Sequence, residues 1–327
     1  MEWKKNFMHQ KMMTQVLLAM MPLYLLAVFF YGWRVLVMLT VVVVAAVFSE
    51  FAIGYLISRD KFKVSEAVLV TAGLYTLTLP AATPIYIAVI GIVFGVVFGK
   101  MAFGGFGRNI FNPALVARCF IYIGFPTHLT MRWMEPFLRL PGGFSVLQRG
   151  EDATSAATPL IAMEAGEQAP ALWDLLWGGT SGSMGETSIL LIVIAGLLLV
   201  FKKTASWKIM VSVLLGAAGS SAIFTLLGLS HLPFLAGMFT GGLFFMAVFM
   251  ATDPVTAPKD ETAKWIVGVL IGVLTIVIRN FSLFPEGAMF AVLIGNAFTP
   301  LIERHVKSFR AHRKARRDHR VPIEEGK

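Results

Sequence analysis

The chain has 327 residues, of which 57% are hydrophobic and only 14% charged, with a mean hydropathy of +0.73. A water-facing globule of this size does not cover that much apolar surface, so lipid is expected as part of the solvent and a soluble fold is excluded. The net charge of +9 does not point to nucleic acid, because much of it sits in the stretch from Arg304 to Arg320, beyond the last apolar run, where excess Lys and Arg mark a cytoplasmic segment.

The first apolar stretch, about Val16 to Phe30, follows Met-Glu-Trp-Lys-Lys and superficially resembles a signal peptide. No small-residue cleavage site comes after it, and Tyr31, Trp33 and Arg34 read as interface residues, so a retained first helix is expected. A spanning helix needs roughly 20 apolar residues, fewer inside a bundle. Ten runs qualify: about 14–31, 35–57, 66–80, 84–102, 110–125, 188–201, 208–228, 233–251, 265–283 and 286–302. The third, fifth and sixth are short and are expected to face protein or a cofactor cavity. Between the fifth and sixth lies 126–187, with seven acids, three arginines and scattered Pro and Gly, which reads as a long extramembrane loop.

Basic residues alternate along these runs. Lys4, Lys5 and Lys11 precede the first; Arg59, Lys61 and Lys63 follow the second; Lys100 and Arg108 follow the fourth. Lys202, Lys203 and Lys208, then Lys259 and Lys264, then the C-terminal cluster fall on the same side. Both termini are thereby placed in the cytoplasm and 126–187 outside, with Arg34 and Arg279 as single charges on the outer side. The expected fold class is an all-α polytopic membrane protein with about ten transmembrane helices. These form two inverted five-helix halves, 1–125 and 188–302, joined by the external loop and followed by a basic cytoplasmic tail, 303–327.

Several segments carry chemistry. Asp152-Ala-Thr-Ser-Ala-Ala-Thr158-Pro-Leu is a loop of small residues, readable as a Ser/Thr turn with Asp152 capping a short helix. Phe103-Gly-Gly-Phe-Gly-Arg-Asn-Ile-Phe-Asn-Pro-Ala-Leu-Val-Ala-Arg118 opens the fifth run; Gly182-Ser-Met-Gly-Glu-Thr-Ser188 opens the sixth. Met250-Ala-Thr-Asp-Pro-Val-Thr256 closes the eighth, and Phe284-Pro-Glu-Gly287 opens the tenth. Gly104, Gly105 and Gly107 allow close backbone approach ahead of a helix whose free N–H groups suit an anion or a flavin's polar edge, or they serve tight helix packing. The dinucleotide fingerprint is incomplete, since position 110 is Ile. Glu186 and Glu286 stand at helix beginnings, where the dipole favours a carboxylate, and Asp253 before Pro254 is a turn signal. The lone Cys119 forms no intrachain disulfide and no cysteine metal site.

The stretch around Thr158 resembles the flavin-attachment signature, in which a flavin transferase moves the FMN phosphate onto a threonine hydroxyl. Thr158 takes the acceptor position, Asp152 and Ser155 fit the motif, and Ala156 replaces the more usual glycine. With the four other segments in this order, the chain resembles, over nearly its whole length, the RnfD protein of the Rnf complex and the homologous NqrB protein of the sodium-pumping NADH:quinone oxidoreductase. The resemblance implies an electron-transfer component of a redox complex in the bacterial inner membrane that moves Na⁺ or H⁺. It also implies FMN on Thr158, a non-covalent riboflavin in the bundle, and a partner protein with a second covalent FMN. The short segment before the first run favours the ferredoxin:NAD⁺-type Rnf branch over the quinone-reducing one. In another class altogether, two inverted halves also describe a solute channel or transporter.

Glu50, in Val47-Phe-Ser-Glu-Phe-Ala-Ile, is costly within an apolar run unless paired, protonated or wet. It is read either as part of an ion path, with Asp253 as the next candidate, or as a structural residue paired with Arg118 or a neighbouring protein of the complex. Arg118 is read as the partner of an acid or as a holder of a flavin phosphate or carbonyl. The topology has a direct check: a cysteine introduced at Gly150 should react with an impermeant thiol reagent added to intact cells, and one at Ala311 should not. The reverse labelling overturns the ten-span count.

Overall fold

The computed structural model describes residues 7–58, 62–146, 157–230, 232–282 and 286–318. Lys4, Lys5, Arg59, Lys61, Gly150, Asp152, Ser155, Phe284, Pro285 and Arg320 lie outside the described residues. Two short strands, β1 (Phe7–Met8) and β2 (Val64–Ser65), pair in parallel, with Phe7 opposite Val64. The first group of helices is α1 (Lys11–Tyr31), α2 (Arg34–Ser58), α3 (Ala67–Leu77), α4 (Ile85–Gly99) and α5 (Pro113–Gly124). Three short helices follow in the connecting region: α6 (Pro126–Thr130), α7 (Pro159–Glu164) and α8 (Leu172–Trp177). The second group is α9 (Ile189–Phe201), α10 (Trp207–Leu226), α11 (Phe234–Phe239), α12 (Leu243–Phe245) with a π turn to Met250, α13 (Glu261–Phe281) and α14 (Gly287–Asp318).

Among the described residues, five helices are long and apolar enough to cross a membrane: Lys11–Tyr31, Arg34–Ile57, Ile85–Phe103, Trp207–Leu226 and Glu261–Phe281. The third, fifth and sixth runs are short apolar helices, α3, α5 and α9, and α3 is buried almost throughout, as a short segment in a lipid setting must be. The packing order repeats between the groups: α2 packs on α4 and α4 on α5, while α10 packs on α13 and α13 on α14.

The close approaches are made by glycine. A Cβ on Gly95 of α4 would lie 2.5 Å from Ala117 Cβ and 2.6 Å from the Pro113 carbonyl oxygen, and one on Gly91 would lie 2.1 Å from Tyr75 Oη. Gly91, Gly95 and Gly99 recur every fourth residue, so they share one helix face and let α4 lie backbone to backbone against α5. Gly272 does the same for α13, where a Cβ would meet the Val213 carbonyl oxygen of α10 at 2.1 Å. Helix starts are fixed by side-chain caps. The Asn112 carbonyl oxygen accepts from the Ala114 and Leu115 amides with Pro113 at the first helical position, and Asp260 accepts from Thr262 and Ala263.

The structure corrects two expectations. The eighth run is not a continuous span: it breaks at Thr240, Gly241 and Gly242, both glycines holding positive φ. Arg279, expected as a single charge on the outer side, is 4% exposed, donating to the carbonyls of Gly237 (2.8 Å), Thr240 (3.1 Å) and Gly241 (2.7 Å) that the break sets free. Arg34 is likewise engaged, donating to the Ala81 and Thr83 carbonyls between α3 and α4. The tenth run carries on as helix through Glu303 to Asp318, so helix α14 continues across 302/303.

The connecting region docks on one end of the bundle. Phe137 N donates to Phe30 O and Trp33 N to Val146 O at the α1–α2 turn, while Met184 N and Gly185 N donate to Leu79 O and Leu77 O past the end of α3. The starts of α1 and α3 and the end of α4 form the opposite end, where Thr14 donates to Glu66 and Lys100 to Ser65. The α4–α5 contact is open to test. Gly95→Ala should destabilise the protein by about 1–3 kcal/mol through overpacking, while Gly124→Ala, where an added Cβ meets nothing within 4 Å, should be neutral. Thermal unfolding in detergent distinguishes them, and equal behaviour of the two variants refutes the packing argument.

Candidate functional site

Thr158 is the residue just before α7, its Oγ1 accepting from the Ile161 amide at 3.4 Å. It opens onto a cavity of about 600 Å³ at the loop-bearing end of the bundle. The wall opposite is assembled from distant segments: Tyr122 of α5, Trp133, Glu186, Gly242 and Glu286. Two of the motif segments read from the sequence, 182–188 and 284–287, therefore converge with Thr158. The loop 182–187 is held in place by its amides on the end of α3, and Gly185 leaves no room for a side chain, since a Cβ would lie 2.6 Å from Leu77 Cβ.

Arg118 lies directly behind this wall, 2% exposed. Its guanidinium donates to Glu286 and, at 3.4 Å, to Ser183 Oγ. Among the described residues nothing accepts from Arg118 Nε or Nη1. Glu186 retains some exposure to the cavity but is ringed by protein. Burial pushes its carboxyl up to about 7, helped by the Glu286 charge and opposed by Arg118. Of the residues expected from the sequence, Thr158 and Arg118 are brought to one place, whereas Asp152 and Ser155 lie outside the described residues. Glu186 and Glu286, read from the sequence as dipole-favoured carboxylates, prove to surround Arg118.

A second cavity, of about 480 Å³, lies at the opposite end and is lined by Lys100, Phe106, Asn109, Asn112, Phe249 and Asp253. Asp253 accepts from the Val255 amide at 3.1 Å, Thr256 Oγ1 at 3.2 Å and Asn112 Nδ2 at 3.4 Å, while the Asn112 amide donates to Asn296 Oδ1 at 3.1 Å. Beside it is Glu50, 1% exposed. Its partner is not Arg118, which is engaged with Glu286, but Lys100, at 2.9 Å. Ser65 closes the group, donating to Glu50 Oε1 at 2.8 Å and accepting from Lys100 Nζ at 2.7 Å. Lys100 was legible in the sequence only as a topological charge. The Gly99-Lys100 end of an apolar run was the available sign that it is buried.

These features define a polytopic membrane protein with a cavity at each end of its bundle. Residues 2–311 match the NQR2, RnfD, RnfE family, and the chain belongs to it. It is 38% identical over 266 residues to the NqrB protein of the Na⁺-translocating NADH-quinone reductase of Chromohalobacter salexigens, covering 78% of this chain and 62% of that protein. It is 38% identical over 273 residues to the corresponding proteins of the same reductase from Pseudomonas aeruginosa and Azotobacter vinelandii, covering 80% of this chain and 64% of each. The chain thus spans a little under two thirds of the length of these relatives.

The residues present suit the flavin that the family resemblance implies: the Thr158 hydroxyl opens onto the first cavity, and Arg118 behind its wall has donors without an acceptor among the described residues. The Glu50–Lys100 pair has a testable energetic signature. Breaking a buried pair from one side costs about 3–5 kcal/mol, so Lys100→Met alone should lower thermal stability steeply. Adding Glu50→Gln should restore most of the loss. Additive effects of the two substitutions would show that the pair is not coupled.

Proposed function

We propose that this chain is a flavin-carrying membrane subunit of a redox-driven cation translocase, holding FMN through a phosphoester on Thr158. The observation that carries the reading is the position of Thr158 on the rim of a cavity that Glu186 and Glu286, from two of the segments whose sequence resembles the family's, also line. When bound, the FMN supplies reversible electron transfer; the chain supplies position, charge and exclusion of solvent. Arg118, fixed by Glu286 and Ser183, presents positive charge behind the cavity wall, and Tyr122 and Trp133 supply flat apolar surface on it.

Electrons come from a partner, expected to be a second protein with covalent FMN, and maturation needs a flavin transferase. The chain crosses a bacterial inner membrane ten times in two inverted halves, with both termini cytoplasmic and the Thr158 loop outside. Lys100 and Asp253 line the second cavity and Glu50 pairs with Lys100 beside it, the setting in which an ion path or a non-covalent riboflavin is expected. The relatives named above belong to the quinone-reducing branch, so a Na⁺-translocating NADH-quinone reductase is the favoured complex. The ferredoxin:NAD⁺-type Rnf complex is the expectation it replaces. Against a channel stands the observation that the two cavities share no lining residue.

The test is direct. Expressed with a flavin transferase, the chain should give a fluorescent band after denaturing electrophoresis, and Thr158→Ala should abolish all of it while membrane insertion persists. Flavin found by mass spectrometry on Thr154 or Ser155 refutes the assignment to Thr158, and a band with no fluorescence in the unmodified chain refutes the covalent cofactor.

A further inference from the structure

Arg118 brings one positive charge to two carboxylates. Glu286, at the start of α14, holds the direct contact with its guanidinium. Glu186, three residues beyond the Ser183 that also accepts from Arg118, faces the same charge. The other titratable groups facing the cluster are Tyr122 of α5 and Arg279 of α13, and Arg279 is committed to the carbonyls of Gly237, Thr240 and Gly241. Charges of both signs thus surround Glu186, but among the described residues it makes no ion pair of its own, and a desolvated carboxylate without a contact cation is costly unless a proton neutralises it.

The geometry says where the proton goes. Glu286 holds the contact with Arg118, whereas Glu186 is pressed onto the turn at Gly242, where an added Cβ would lie 2.5 Å from its carboxyl carbon. From there it retains exposure into the cavity. Arg118, 2% exposed, has Nε and Nη1 without an acceptor among the described residues, so the guanidinium does not saturate the cluster from its own side.

We propose that Arg118, Glu186 and Glu286 form a one-proton site in the wall of the Thr158 cavity, with Glu186 as the carboxyl that takes up and releases the proton. Uptake forms one O–H bond on the Glu186 carboxylate with a proton from cavity water, and release reverses it. Burial and the Glu286 charge raise the Glu186 carboxyl to about 7, so the site exchanges near neutrality. The use of the site rests on the flavin reading: a proton bound here offsets negative charge arriving with an electron at the cavity. Its existence does not depend on that reading.

Infrared difference spectroscopy of the assembled complex, held fully oxidised and titrated with pH, tests it. A carboxylic-acid carbonyl band should vanish as the pH rises through about 7 and should be lost entirely in Glu186→Gln. Glu286→Gln removes a charge that raises the Glu186 carboxyl, so the band should then titrate at lower pH; this variant decides the matter if Glu186→Gln fails to assemble. A complex carrying Thr158→Ala should keep the band, which separates failure of the proton site from failure of the flavin assignment. Persistence of the band in Glu186→Gln, an unmoved midpoint in Glu286→Gln, or loss of the band with Thr158→Ala overturns the proposal.

Discussion

Lipid offers no hydrogen bonds to an interrupted helix, and that constraint governs this bundle. Where α11 gives way to α12, three carbonyls lose their helical donors, and a single guanidinium, that of Arg279, reaches across from α13 to all of them. Between α3 and α4 Arg34 serves the Ala81 and Thr83 carbonyls, and past the end of α3 the Met184 and Gly185 amides serve Leu79 and Leu77. Each repair also builds a site. The loop that supplies those two amides carries Glu186, and the turn that Arg279 holds presents Gly242 to the Glu186 carboxyl. The polar cavity at this end follows from satisfying backbone in an apolar medium.

Much of this was legible in the sequence, because long apolar runs leave little choice: α1, α2, α4, α10 and α13 fall within or close to the runs expected. Two of the segments grouped with Thr158 in the sequence, 182–188 and 284–287, do line the same cavity as Thr158. What composition did not yield was pairing across distance. Lys100 and Glu50 are fifty residues apart in sequence, and Arg118 and Glu286 are 168 apart; no periodicity encodes which acid a buried base will meet. The break at Thr240 to Gly242 had a local signal, adjacent glycines within an apolar run, but a run's average hydropathy conceals it. Arg279 was legible only as a single charge on the outer side for the same reason: its partners are carbonyls, which every residue has.

The two ends share a chemical plan. At one, Arg118 faces Glu186 and Glu286; at the other, Lys100 contacts Glu50 and lines a cavity with Asp253. In each case a buried base contacts one carboxylate directly while a second carboxylate stands near it without that contact. The bases differ in kind. The guanidinium of Arg118 stays charged and planar, fixing its surroundings, whereas the Lys100 ammonium is a point charge on a flexible stem.

Two helices reach both clusters. α5 begins at the Asn112 that touches Asp253 and carries Arg118 six residues later; α14 starts beside Glu286 and carries Asn296, the acceptor of the Asn112 amide. At 1.5 Å per residue, the rise from Glu286 to Asn296 is roughly 15 Å. Unit charges roughly 15 Å apart in an effective dielectric of about 20 interact by about 1 kcal/mol, a several-fold bias in occupancy. On the proposed function, that magnitude separates two kinds of coupling. Through-space electrostatics alone lets a charge change at the Thr158 cavity adjust the affinity of a cation at the far end by a few-fold. Obligate translocation demands more, because moving an equilibrium from one extreme to the other takes about 5.5 kcal/mol of differential affinity. The remainder has to come from a segment with two packings, and the turn at Thr240 to Gly242 joins a broken helix to the Glu186 wall at one side and, through Met246–Met250, to the Asp253 turn at the other.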